Sequence, residues 1–376
     1  MSRPPGAAWS DPMSATGSTG ASPHYGGGVT PLRPDLSSLP AYVAGRTVPG
    51  AVKLASNEVA LPPHHRVQEA VAQAVAAGNR YPDITVTTLT QRLADHLGVD
   101  PGRIAVGCGS VALCGQLVAA VCSPGDEVVF PWRSFEAYPI VSVIGHATPV
   151  PVPNTAGHEH DLEAMLAAIT DRTRIVFVCN PNNPTGTAVR RRELVDFMAR
   201  VPEHVLVVLD EAYREFVADD DVPDGLTLLD AHSHVAVLRT FSKAHRLAGL
   251  RVGYAVAPPD LASALRSVSV PFSVSAPAQA AAIAALDVLD DLLADARAAA
   301  AEARRMADEL RAAGYEVPET HANFCWLPLG ERTQAFAEHA LDHKVVVRAF
   351  HPDGVRVSAG APEENELLLD AARSFA

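Results

Sequence analysis

The chain lacks an apolar run of the roughly 18 residues a membrane-spanning helix needs, and it lacks basic excess. Its formal net charge of -13 argues against nucleic acid or an anionic membrane as a bulk electrostatic partner. Local basic pockets, such as a phosphate site, remain compatible with that balance. Cysteine is scarce: Cys108, Cys114, Cys122, Cys179 and Cys325 form no C-x-x-C pair. Reduced core thiols in a cytoplasmic protein are therefore expected. Also missing is a basic start followed by an apolar block. The first thirty residues are rich in Ser, Gly, Pro and Ala and read as a disordered leader, not a signal peptide.

What is present is a long chain with a substantial core. Its 376 residues, 48% of them hydrophobic, suffice for one large domain and a smaller one. Order is expected from about residue 32. Helical apolar spacing marks 67–77 and 89–97, with a turn at 79–83 between them. Short apolar strands follow at 104–106, 127–130, 175–178, 205–209, 235–238 and 252–256, alternating with helical patterns such as 162–169 and 190–198. Strands without polar alternation, separated by helices, predict an α/β fold with a mostly parallel sheet covered on both faces. Residues 277–310 are Ala-rich with sustained helical periodicity and read as one long connector. It leads to a smaller α+β unit with strands at 323–327, 345–347 and 355–358 and a final helix from Glu363.

In open parallel sheets, ligands sit beyond the carboxyl ends of the strands. Cys108, Asn180 to Asn183, Asp210, Thr240 and Lys243 all follow predicted strands. A carboxylate ending an all-apolar strand is costly to bury without a partner, and Asp210 is suited to pair with a pyridine nitrogen. Lys243 is suited to a Schiff base with the same cofactor. Thr240 and Ser242 bring hydroxyls, and Arg251, eight residues after Lys243, brings a planar fork for a phosphate dianion. Gly107-Cys108-Gly109-Ser110 adds backbone N–H groups at a helix start, although an ordinary tight turn has the same sequence. Asn180-Pro181-Asn182-Asn183-Pro184-Thr185-Gly186 is a rigid loop. From it Asn183, with Tyr213 opposite, can reach a phenolic oxygen. Together these groups point to pyridoxal 5'-phosphate.

Ser56-Asn57-Glu58, Tyr81-Pro82-Asp83, Asn180 to Gly186, Asp210-Glu211-Ala212-Tyr213 and Phe241-Ser242-Lys243 resemble the histidinol-phosphate aminotransferase family. That family is a branch of the class I/II, fold-type I pyridoxal-phosphate aminotransferases. The resemblance extends from about residue 32 to the C-terminus. It implies a large domain with a mostly parallel seven-stranded sheet, a smaller α+β domain, and a homodimer with active sites at the subunit interface. The corresponding division is a leader at 1–31, an arm at 32–60 contributing to the small domain and the dimer, a cofactor domain at 61–275, a connecting helix at 276–312 and a small domain at 313–376.

Residue by residue, the resemblance implies the aldimine at Lys243, the ring-nitrogen partner at Asp210, and phenolic-oxygen contacts at Asn183 and Tyr213. The phosphate would be held by Thr240, Ser242, Arg251 and the backbone of Cys108, Gly109 and Ser110. Tyr81 would reach the neighbouring subunit's cofactor phosphate, and Phe135 would stack on the cofactor ring. Arg356 matches the substrate-anion arginine, with Arg348 and Tyr42 at two further substrate-side positions.

The stretches Gly107 to Cys114, Trp132 to Glu136, Val270 to Val274 and Ala322 to Gly330 resemble the actinobacterial aromatic amino acid (phenylalanine) branch. That branch is favoured over histidinol-phosphate transamination, and a pyridoxal-phosphate decarboxylase is a further alternative. The chain departs from the family after Lys243, where Ala244-His245-Arg246 replaces the usual aromatic residue and glycine. His64-His65, His158-x-His160 and His232-x-His234 read as polar loop residues, and no metal is expected. No membrane or nucleic-acid partner is expected either.

Overall fold

The computed structural model describes residues 33–39 and 45–375. Tyr42 and the whole stretch read as a leader lie outside the described residues. A short strand β1 (Val52–Lys53) precedes eleven others: β2 (Ile104–Gly107), β3 (Glu127–Trp132), β4 (Thr148–Pro153), β5 (Thr173–Cys179), β6 (Leu206–Asp210), β7 (Val235–Thr240), β8 (Gly253–Val256), β9 (Phe324–Leu327), β10 (Val345–Val346), β11 (Arg348–Phe350) and β12 (Gly354–Ser358).

Seven of these form one sheet in the order β2-β8-β7-β6-β5-β3-β4. Strands β4, β3, β5, β6 and β7 run parallel, and β8 is antiparallel to both β7 and β2. Because β2 and β7 both oppose β8, they point the same way. Every residue of β6, β7 and β8 is buried, which is why these segments show no polar alternation. One apolar cluster covers one face of the sheet through Val176, Val207 and Val237. Another covers the opposite face through Ile175, Val208 and Leu238.

Strand β4 has no counterpart among the strands expected from sequence. Its Thr-Pro-Val-Pro-Val-Pro sequence reads as non-strand because proline cannot donate to a ladder. The edge position resolves the conflict. Thr148 N–H donates to Asp126 and Asn154 N–H to Trp132 on the β3 side, while Pro149, Pro151 and Pro153 alternate with these positions. The prolines thus leave the outer edge without a row of donors, blunting edge-to-edge pairing.

The Ala-rich connector is two helices, Ala276–Asp287 and Leu289–Ala312, where the periodicity predicts one. Val288 leaves the helical region (φ -120°, ψ 27°), and its side chain is buried in the large core. The first helix buries Ala278, Ala281, Ala282 and Ala285 in that core, whereas the second buries Ala303, Met306, Ala307 and Leu310 in another. Alanine suits both helices, so its spacing cannot reveal where the axis changes partner.

The remaining strands form a three-stranded antiparallel sheet, β11-β12-β9, and a parallel pair, β1-β10. The pair brings Leu54 from the chain's early part into the core with Leu327, Val355 and Leu368. A helix at Thr333–Asp342 and strand β11 add to the elements expected there. A fourth cluster, holding Tyr213, Phe216, Ala244, Ala296, Ala300, Ala322 and Phe324, joins the ends of the large sheet to the smaller one.

Candidate functional site

The carboxyl ends of β2, β5, β6 and β7 face one region, and each supplies polar groups to it. Asp210 closes β6 and is 2% exposed. Its carboxylate accepts from the Tyr138 hydroxyl at 2.8 Å and from the Ala212 N–H at 3.3 Å. No ion pair to it is found among the described residues. Burial pushes its pKa up to about 6, against the pull of those two donors. A carboxylate in that setting is suited to a cationic partner. Tyr138 itself stacks on Phe177 with centroids 4.5 Å apart, and burial pushes its pKa well up, so its hydroxyl stays a donor.

Lys243 follows β7. Its Nζ donates to the Ser56 carbonyl at 3.2 Å and stands 5.8 Å from the Tyr213 ring centroid. Burial, with the positive charges of Arg356 and Arg251 behind it, lowers its pKa to about 7. At neutral pH a large fraction of this amine is therefore unprotonated and nucleophilic. The Tyr213 hydroxyl accepts from Asn57 Nδ2 at 2.8 Å, and burial raises its pKa, so it keeps its proton. Asn57 is held in turn: its N–H donates to Ser358 Oγ at 2.7 Å, and its Oδ1 accepts from that hydroxyl at 3.0 Å.

Within the Asn180–Gly186 loop the three asparagines divide their work. Asn180 exchanges hydrogen bonds with Val189, and Asn182 bonds Ser134, Arg133 and Thr185. Asn183 alone faces Arg356, whose Nη1 donates to its Oδ1 while Nη2 donates to the Ala55 carbonyl at 2.7 Å. Arg356 lies 5.6 Å from both the Phe324 and the Phe350 ring centroids.

At the other end, Arg251 Nη1 donates to Ser242 Oγ at 3.1 Å and to the Ala248 carbonyl at 2.9 Å. Thr240 Oγ1 accepts from the Ser242 N–H at 3.1 Å. The helix Ser110–Val121 begins beside them, with Gly109 (φ 78°) at its N-cap. A Cβ on Gly109 would collide with the Arg251 guanidinium, so the glycine leaves the room this fork occupies. Hydroxyls, a guanidinium and a helix N-terminus make a cup suited to a dianion. The cup, the buried carboxylate and the half-neutral amine fit pyridoxal phosphate at its phosphate, ring nitrogen and aldehyde. Gly109→Ala is expected to raise the dissociation constant of this cofactor about tenfold or more, measured by fluorescence titration of apoprotein. Its methyl meets the arginine and forces an unfavourable φ; unchanged affinity would remove Gly109 and Arg251 from the cup.

The structure thus brings together Asp210, Lys243, Asn183, Tyr213, Arg356, Arg251, Ser242, Thr240 and the start of the Ser110 helix. Phe135 stands edge-on to Tyr138 at 5.6 Å. Tyr81 makes none of these contacts; it is 81% exposed and stacks on Phe272 at 4.6 Å. Arg348 pairs with Glu136 instead of Asn183. His245 and Arg246, where the chain departs from the family, are turned to other partners. His245 is buried against Phe241, and burial lowers its pKa to about 4. Arg246 pairs with Asp295 and donates to the Pro62 carbonyl.

Two residues reached the site without a role read from sequence. Asn57 sits inside the Ser56-Asn57-Glu58 motif, and its positive φ of 54° is invisible in the chain. Tyr138 lies three residues beyond Phe135, in the first turn of the helix Ala137–Ile144, and only the fold brings Asp210 to its hydroxyl.

The class I and II aminotransferase family model matches residues 49–371. An aromatic amino acid aminotransferase from Rhodococcus jostii is 55% identical over 342 residues, covering 91% of this chain and 95% of that protein. Its counterpart from Mycolicibacterium smegmatis is 56% identical over 344 residues, covering 92% and 95%. Among solved structures, the histidinol-phosphate aminotransferase of Sinorhizobium meliloti in complex with pyridoxal-5'-phosphate superposes with a TM-score of 0.84. It is 30% identical and covers 93% of this chain and 99% of its own. A Thermus thermophilus aspartate aminotransferase superposes with a TM-score of 0.77 at 25% identity, covering 87% and 92%. With its seven-stranded sheet and polar strand ends, this chain belongs to the class I and II aminotransferases.

Proposed function

We propose that this chain is a pyridoxal-phosphate-dependent aminotransferase moving the amino group between an aromatic L-amino acid and a 2-oxo acid such as 2-oxoglutarate. The observation that carries the substrate class is the setting of Arg356. Its guanidinium, suited to an α-carboxylate, is flanked by the Phe324 and Phe350 rings, with Trp326 5.8 Å from Phe350. The rings are buried, so they form the apolar wall behind the guanidinium against which phenylalanine or tyrosine would lay its carboxylate. The relatives at 55% and 56% identity, named as aromatic amino acid aminotransferases, agree with it.

Pyridoxal phosphate supplies a carbonyl that takes up the amino group and a ring that accepts electrons. In this reading, Asp210 would hold the proton on the ring nitrogen, and Asn183 and Tyr213 would hold the phenolic oxygen. Arg251, Ser242, Thr240 and the backbone at Cys108, Gly109 and Ser110 would hold the phosphate, and Phe135 would stack on the ring. Lys243 Nζ, an amine whose pKa is lowered to about 7, would serve as the base that takes the substrate Cα proton and returns it. Arg356 orients the substrate through its carboxylate.

A homodimer completes the proposal. Tyr81, Ile84, Val270 and Phe272 are exposed apolar residues, a surface suited to a second copy, from which Tyr81 would reach the other subunit's phosphate cup. In this reading the arm's strand β1, paired with β10, would serve the smaller domain. The five described cysteines are unpaired, which suits the cytoplasm. No helix among the described residues is long and apolar enough to cross a membrane.

Incubation with phenylalanine and 2-oxoglutarate is expected to yield phenylpyruvate and glutamate, with a higher kcat/KM than histidinol phosphate as donor. Carbon dioxide release, or a strong preference for histidinol phosphate, would overturn the reading.

A further inference from the structure

Arg246 is a cation at a backbone position that favours glycine. Its φ of 60° lies in the left-handed region, which most L side chains enter only at a cost. Its N–H donates to the Lys243 carbonyl at 2.9 Å and closes the turn that follows the lysine. The side chain adds two ties that glycine could not make. Nη1 donates to the Pro62 carbonyl at 3.1 Å, six residues beyond Ser56, whose carbonyl receives Lys243 Nζ. Nη2 pairs with Asp295, the two side chains being 7% and 38% exposed. Asp295 stands in the second turn of the helix Leu289–Ala312. The next residue, Ala296, clusters with Ala300, Ala244 and Tyr213, so the lysine turn lies along this half of the helix. The other half buries Ala303, Met306 and Leu310 in the core that also holds Val355 and Val357, the two neighbours of Arg356 in β12.

Resting on the roles proposed for Lys243 and Arg356, we infer that Arg246 and Asp295 are a positioning pair. They hold the Lys243 turn against the helix that packs behind the Arg356 strand, and so fix the amine relative to that guanidinium. Both groups address one substrate at once, the amine at its Cα proton and the guanidinium at its carboxylate. A misplacement of about 1 Å between such groups can cost up to about 10²-fold in rate. An arginine gives the tie direction as well as charge, because its planar fork is rigid. Glycine at 246 relieves the backbone and drops both side-chain ties. The pair touches no reacting atom and acts on every amino donor alike.

The test compares Arg246→Gly, Asp295→Asn and Arg246→Lys with wild type. In holoenzyme, Arg246→Gly is expected to slow the limiting single-turnover rate with phenylalanine about tenfold, with half-saturation nearly unchanged. The isotope effect with Cα-deuterated phenylalanine should rise, because proton transfer becomes the slower step. Asp295→Asn should reproduce both changes, and Arg246→Lys, which keeps the cation, should restore most of the rate. Apoprotein supplies a second readout, the pH midpoint for cofactor capture by Lys243. That amine is faced by Arg356, Glu58, Arg251, Lys53 and the Tyr213 ring. A loosened turn admits water and moves the midpoint up in both variants, whereas loss of the Asp295 charge by itself would move it down. Glycine suits the φ at 246, so Arg246→Gly apoprotein should melt near wild type; if it does not fold, Asp295→Asn carries the test. An unmoved rate in the folded variants, or a slower rate with the isotope effect and the capture midpoint both unmoved, would overturn the positioning role. Absence of phenylalanine turnover in the wild type would instead sink the proposed function, and the pair is then tested with whichever donor the wild type does turn over.

Discussion

Lys243→Ala is expected to lower kcat on the order of 10⁴-fold, the upper range for removing a general base, and to abolish covalent retention of pyridoxal phosphate. The reasoning starts from the amine. Burial, with Arg356 and Arg251 nearby, lowers its pKa from 10.5 to about 7. An amine so poised is protonated below about pH 7, where it is neither nucleophile nor base, and neutral above it. The rate at which apoenzyme captures the cofactor should therefore rise to about pH 7 and then level. An ordinary lysine would keep gaining about tenfold per unit toward pH 10. Stopped-flow absorbance on the apoenzyme measures this. A continued rise through about pH 9, or substantial turnover by Lys243→Ala, would remove Lys243 from the reaction.

Asp210→Asn should be the next most damaging change, lowering kcat/KM on the order of 10³-fold. Removing one partner of a buried charge pair costs about 3–5 kcal/mol, and an amide cannot hold a proton on a ring nitrogen. The ligand-free chain should behave in the opposite sense. Asp210 has its folded pKa raised from 3.8 to about 6 by burial, so its ionised form opposes folding. That penalty is present above about pH 6 and fades as pH falls through the folded and then the unfolded value. Apoprotein of Asp210→Asn is thus expected to be more stable than wild type at neutral pH, by up to about 3 kcal/mol, and to lose this advantage below about pH 4. Thermal melts of apoprotein and steady-state kinetics of holoenzyme separate the two effects. Equal losses in both would make Asp210 a structural residue only.

How much of this was legible beforehand varies with the kind of feature. The strands of the central sheet were readable because burial on both faces leaves only apolar side chains. Strand β4 was not, since its prolines argue against a ladder and only its edge position removes the objection. The break at Val288 was hidden because alanine packs equally well in either core. At the site, Asp210, Lys243 and Arg251 were visible because charges that flank apolar strands need a purpose. Asn57 and Tyr138 were not, because each acts by orienting another residue distant in sequence.

The same division separates Arg356 from Arg348. Both were marked as substrate-side arginines, yet one reaches Asn183 and the other is taken by Glu136. Likewise His245-Arg246, which interrupts the family pattern beside the lysine, is packed against Phe241 and Asp295. The sequence by itself determined six of the seven strands of the large sheet and the cofactor class. All of these follow from side-chain type and local spacing. Only the tertiary structure decided which cations were neutralised and which amine was desolvated. Those depend on long-range neighbours, and electrostatic energies change with a few ångströms of distance and with burial.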